Sequence, residues 1–133
     1  TNAPAIPRLL IVGIETPAAT RFRDMTPPPV GDAAKRMPRA GGGPAFLRFL
    51  ETELRPYIAS RYRTQSVTIL AGHSLTGSFA AWAFGKAPDF LTGAIALSPT
   101  PSWLNVQRAT GILTTGGADP TPYSKNQLPP VVG

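Results

Sequence analysis

The chain contains no cysteine, which excludes disulfide scaffolds, thiolate metal sites and a cysteine nucleophile. Its single histidine, His73, leaves no material for a multi-histidine metal centre, and no metal or other cofactor is expected. Charged residues are sparse at 15% and aromatics stand at 8%. No apolar run approaches the length that a bilayer-crossing helix needs, so no membrane partner is expected. The opening Thr1-Asn2-Ala3-Pro4 has neither the basic nor the apolar region of a secretory leader, and the sequence assigns no compartment. It also begins without Met, as a processed product or a piece of a longer protein would.

What is present fits one domain. A length of 133 residues can bury a real core, and 42% of them are apolar. The 13 glycines and 16 prolines fall just short of the content that signals low-complexity disorder. Thirteen basic against seven acidic residues give a net charge of +6. Such a balance suits nucleic acid, anionic lipid or an acidic substrate, but alone it reports solubility and steering. No helix-turn-helix, zinc, RRM or phosphate-cradling motif accompanies it, and the arginines are not interleaved with aromatics, so nucleic acid is not an expected partner.

Along the chain, Arg8-Leu9-Leu10-Ile11-Val12-Gly13-Ile14 is a continuous apolar run of strand length, as in a strand buried on both faces. From Glu15 to Gly43 no periodicity is usable; prolines and Gly41-Gly42-Gly43 punctuate a stretch far longer than an ordinary loop. Pro44 suits the first position of a helix. Phe46, Leu47, Leu50, Leu54, Tyr57 and Ile58 follow as one stripe at helical spacing, with Pro56 expected to kink or shorten the helix. Ser66–Ala71 reads as a second strand, Ser78–Lys86 as a buried helix, Gly93–Ser98 as a third strand and Gly111–Thr115 as a fourth. Alternating strands and helices predict an α/β fold, a parallel sheet of about four strands with helices on both faces.

The segment carrying chemistry is Ala71-Gly72-His73-Ser74-Leu75-Thr76-Gly77, between a predicted strand and a predicted buried helix. That is the setting of a nucleophile elbow, a sharp bend that needs small residues two before and two after the nucleophile. Gly72 fills the first position; at the second the pattern wants glycine, but Thr76 stands there with Gly77 one residue later. Ser74 is the candidate nucleophile, and the backbone N–H of Leu75 the candidate half of an oxyanion hole. The bland alternative is an ordinary helix start with Ser74 as N-cap. The strand before and the buried helix after favour the elbow. His73 immediately precedes Ser74 and leaves the backbone on the opposite side of the bend, so it cannot act as general base and is expected to pack beside the elbow.

GHSLTG, the upstream GGGPAFLRFLETELRPYIASRYRT, the downstream AIALSPTPSW and IVGIETPAATRFRDMTP resemble the esterase-D-type branch of the α/β-hydrolases, which includes siderophore esterases. The blocks run in the family's order over about residues 6–119. The resemblance implies a serine hydrolase acting on small-molecule esters through a Ser–His–acid triad. It also implies that the triad carboxylate follows the Gly111–Thr115 strand, where Gly116-Gly117-Ala118-Asp119-Pro120 offers Asp119; an ordinary Asp-Pro turn is the rival reading. No histidine follows His73 to serve as base, and a complete domain of this kind runs to roughly 200–250 residues. Residues 1–133 are therefore expected to be the central part of such a domain, weakly active alone.

Arg21, Arg23, Lys35, Arg36 and Arg39 crowd the long loop. They could attract an anionic or catechol-rich ester, with Arg23 a candidate contact, or simply form a solvated basic face. Asp24 is expected to bond locally to backbone N–H groups near Thr26. Trp103 could form a pocket wall or merely pack. Competing expectations are an acyltransferase using the same serine, and a non-catalytic binding module, which the missing base would suit.

Overall fold

The computed structural model describes residues 8–29 and 32–99. In chain order the elements are α1 (Ala18–Asp24), α2 (Asp32–Arg36), α3 (Gly43–Phe49), a π-helical turn (Leu50–Leu54), α4 (Arg55–Arg61), β1 (Ile69–His73), α5 (Leu75–Lys86) and β2 (Gly93–Leu97). β1 and β2 pair in parallel, from Ile69 opposite Gly93 to His73 opposite Leu97, with α5 as the crossover between them. The chain is α/β.

Strand alternation puts Leu70, Gly72, Ala94 and Ala96 on one face, partly covered, and leaves Ile69, Ala71, His73, Ile95 and Leu97 exposed on the other. Gly72, Ala94 and Ala96 on the covered face are small, which lets α5 lie close to the sheet. The expectation of helices on both faces is thus not met among the described residues, where one face is covered. Of the three expected strands that fall among the described residues two form; Gly111–Thr115 lies outside the described residues. The run Arg8–Ile14 is not a strand, and its side chains are open to solvent, Ile11 at 86% exposure. A strand exists only through a ladder partner, and among the described residues none pairs with this run.

α5 is apolar nearly all round and is the centre of the core: Phe79, Ala80, Trp82 and Ala83 are buried on it. Met25, Leu47, Leu50 and Leu91 close around Phe79, Trp82 and Ala83. Phe79 meets Phe46 at 5.5 Å and Trp82 at 5.7 Å between ring centroids, which joins the helical stripe to the crossover helix.

Pro56 neither ends the helix nor shortens it, since helical backbone runs from Gly43 to Arg61. The break is absorbed just upstream, where the N–H of Arg55 reaches back five residues to the carbonyl of Leu50. A wider turn there accommodates a ring that cannot donate and would otherwise crowd the carbonyl four residues back. The π turn takes in an extra residue, so the face beyond it rotates by about 100°. Tyr57, expected on the stripe, is therefore 53% exposed and lies under the Arg61 guanidinium at 4.6 Å, while Ile58 stays half-buried.

The long proline-rich stretch holds two short helices that periodicity did not reveal. α1 buries no residue, so it has no apolar stripe to betray it. A knot anchors it to α3: the fully buried Thr26 hydroxyl donates to the carbonyl of Phe22 at 2.7 Å and accepts the N–H of Gly41 at 3.1 Å. The N–H of Gly42 then donates to the Arg23 carbonyl at 2.9 Å and that of Gly43 to the Thr26 carbonyl at 2.8 Å. A Cβ on Gly42 or Gly43 would stand 2.9 Å or 2.8 Å from those same oxygens, so the glycine run is what permits this approach. The start of the sheet is tied to α4 by Arg55, which donates to the carbonyl of Gln65 at 2.8 Å and to the Thr68 hydroxyl at 3.2 Å.

Candidate functional site

The segment from Gly72 to Gly77 forms the hinge between the C-terminal end of β1 and the first turn of α5. Ser74 sits at its apex with φ 56° and ψ −119°, a conformation that costs a side-chain-bearing residue about 1–3 kcal/mol. An ordinary N-cap residue has extended backbone and turns its hydroxyl onto the helix amides. Ser74 occupies the N-cap position with neither property: its φ is positive and its side chain makes no cap hydrogen bond.

Two contacts force the bend shut. The N–H of Ser74 donates to the carbonyl of Leu97 at 2.9 Å, continuing the parallel ladder one step past β1. The helix ladder begins with the N–H of Ser78 donating to the Ser74 carbonyl at 3.0 Å. The amides of Leu75, Thr76 and Gly77 precede that ladder, at the positive end of the α5 dipole. The chain between them folds so tightly that a Cβ on Gly72 would stand 2.3 Å from the Thr76 carbonyl oxygen.

Thr76, the departure from a Gly-x-Ser-x-Gly pattern, has a use of its own. Its hydroxyl accepts the N–H of His73 and donates to the carbonyl of His73, each at 2.9 Å, spanning Ser74 and Leu75. The close approach to the neighbouring strand is made instead by Gly77, where a Cβ would lie 2.9 Å from the Leu97 oxygen and 3.0 Å from that of Gly72. The second small residue of the bend is thus displaced by one position.

His73 does not pack beside the bend as expected. It is exposed on the open face of the sheet, because alternation from the half-buried Leu70 and Gly72 turns it outward. Arg23 lies at the end of α1, 59% exposed, with its Nε 2.7 Å from Asp24 Oδ1. Its side chain pairs with Asp24 and its carbonyl binds the loop at Gly42, so among the described residues its bonds run to α1 and that loop rather than to the hinge. Asp24 was expected to hold backbone amides near Thr26; it holds the Arg23 side chain, and the Arg23 hydrogen bond keeps its carboxyl below the usual range, helped by Thr20. The Thr26 hydroxyl takes over the backbone role. Trp103 and Asp119 lie outside the described residues. Among the described residues no group of His, Asp and Glu could hold a metal ion.

Sequence reasoning passed over Leu97 and Ser98. The Leu97 backbone is the anvil against which both Ser74 and Gly77 rest, a role that depends on register and leaves no mark on residue type. Ser98 has φ 41°, the one other positive φ among the described non-glycine residues. It stands directly before Pro99, a place that ordinarily favours extended backbone, so no sequence rule points to it. Two serines in left-handed backbone thus follow the register pair His73–Leu97 on adjacent strands.

A parallel strand–helix–strand unit with a strained serine at the first strand's end is a recurrent arrangement of α/β enzymes, and similarity to known proteins is specific. The family model described as "Putative esterase" matches residues 2–129, and the chain belongs to that family. It is 32% identical over 109 residues to the ferri-bacillibactin esterase BesA of Bacillus subtilis strain 168, covering 74% of this chain and 38% of that one. A solved structure, an IroE-like serine hydrolase from Shewanella oneidensis, superposes with a TM-score of 0.57 at 28% identity, covering 70% of this chain and 33% of the other. The chain thus spans 38% and 33% of the length of these two relatives.

Proposed function

We propose that the chain is the nucleophile-bearing part of a serine ester hydrolase of the α/β-hydrolase type, with Ser74 as nucleophile. The observation that carries this is the φ 56°, ψ −119° backbone of a serine standing at an N-cap position without capping, in a chain of the esterase family. The Ser74 hydroxyl oxygen attacks the ester carbonyl carbon and passes its proton to a base. The resulting oxyanion is received by the N–H of Leu75 at the positive end of α5. Collapse breaks the bond to the alcohol, which leaves with a proton, and water then releases the acid from the acyl-enzyme by the same steps reversed.

His73 cannot be the base from its exposed place beside Ser74, so the base belongs to a segment outside residues 1–133, with Asp119 as the carboxylate that would orient it. Residues 1–133 then form part of a larger hydrolase domain with further strands and a second helical layer. General-base assistance contributes roughly 10²–10⁴-fold, so this stretch alone hydrolyses esters feebly. The substrate is a small-molecule ester. The BesA name puts ferric siderophore esters first among those to try, and a related acyltransferase would differ only in the acceptor. A non-catalytic binding module is favoured by one observation, the single outward-facing histidine.

The test is labelling of the full-length protein with a fluorophosphonate, beside Ser74→Ala. Label located on Ser74 and lost in the variant is expected. Label that persists in the variant removes Ser74 as nucleophile, and no label despite retained ligand binding selects the binding module.

A further inference from the structure

We propose that the Thr76 hydroxyl is a positioning group for Ser74: a clasp that holds the strained bend closed from within, in place of the glycine such bends ordinarily carry. This deepens the esterase proposal and rests on it. The Thr76 Oγ1 takes the His73 N–H and gives its proton to the His73 carbonyl, both at 2.9 Å. The ring so closed contains Ser74 and Leu75, the two residues whose hydroxyl and amide must converge on one carbonyl. Neither bond belongs to a ladder. The His73 N–H points away from β2, since the neighbouring N–H of Ser74 is the one that reaches the Leu97 carbonyl. Without the hydroxyl, both His73 backbone groups lose this partner and the φ 56° state of Ser74 loses its local restraint.

The physical consequence is selective. Gly72 and Gly77 fix how closely β1, α5 and β2 pack, and a change there alters the whole unit. Thr76 is half-buried, and among the described residues both hydrogen bonds of its hydroxyl go to His73 in the bend. Thr76→Val keeps the shape and removes the clasp; Thr76→Ser keeps the clasp and removes the methyl. Loss of two modest hydrogen bonds predicts a labelling rate at Ser74 roughly tenfold lower in the valine variant, with the serine variant near wild type.

Three measurements on the full-length protein separate the outcomes: fluorophosphonate labelling rate, thermal midpoint, and amide hydrogen exchange of His73. Support is a slow Thr76→Val with an unchanged affinity for the probe, rescue in Thr76→Ser, midpoints within a few degrees, and a His73 amide that exchanges faster only in the valine variant. Equal labelling of Thr76→Val and wild type overturns the clasp as a positioning device. Should Ser74 take no label in the wild type, the esterase proposal fails. The His73 amide then decides the clasp alone: protection lost in the valine variant upholds it as a restraint on the bend, and equal exchange overturns it.

Discussion

Gly72→Ala subjects the hinge to its severest test. An ideal Cβ at residue 72 stands 2.3 Å from the Thr76 carbonyl oxygen, 2.4 Å from its carbon and 2.8 Å from the nitrogen of Gly77. Ordinary contacts begin at 3.4 Å, so the methyl overlaps the first turn of α5 by about 1 Å. Every atom it meets is backbone, with no rotamer to escape into. Either the start of α5 backs away from the sheet or Ser74 abandons its positive φ. Overpacking a well-packed site costs about 1–3 kcal/mol, and a backbone clash belongs at the upper end. For a chain of this size that lowers the melting temperature by roughly 10 °C. Thermal melts followed by circular dichroism read the effect directly, with Gly93→Ala as control, since a Cβ there meets only the Ile69 Cγ1 at 3.9 Å. Gly77→Ala, at 2.9 Å from the Leu97 oxygen, should fall between the two. Gly72→Ala melting within about 2 °C of wild type would refute the tight bend on which the serine's placement depends.

Two further outcomes concern the knot around α1. Thr26→Val removes a fully buried hydroxyl that accepts from Gly41 and donates to Phe22; loss of these two bonds, about 1–3 kcal/mol, should lower the urea midpoint at constant slope. A wild-type midpoint would show that the knot contributes nothing. The Asp24 carboxyl is held low chiefly by its hydrogen bond from Arg23, so the pair stabilises the fold above the ordinary aspartate range and that contribution is lost as pH falls through the lowered folded-state value. Both partners are solvent-accessible, so the effect is small: urea midpoints of wild type and Asp24→Asn should converge as pH falls below the ordinary aspartate range, and a gap that widens with acid would contradict the assigned pairing.

The strand before the hinge, the buried helix after it and the second strand of the pair were legible because they are written locally: a short β-rich run, a helix apolar on all sides, and a glycine where the chain must pass itself. The long helix was legible too, through Pro44 and the stripe from Phe46 to Leu54. Beyond that point the pattern misled, because a π turn ahead of Pro56 shifts the phase and no residue type announces it. Arg8–Ile14 misled for the opposite reason, since its composition suits a buried strand but strandhood is conferred by a partner.

By itself the sequence determined that a serine stands between a strand and a helix with small residues flanking it, and that these residues hold no cysteine and a single histidine, His73. Only the tertiary structure decided how the bend is closed. The Leu97 carbonyl, the clash space at Gly77 and the doubly bonded hydroxyl of Thr76 all depend on strand register and on backbone atoms brought together across the fold. Backbone atoms are the same in every residue. What they hold in place is set by where the chain has gone, which local composition does not encode.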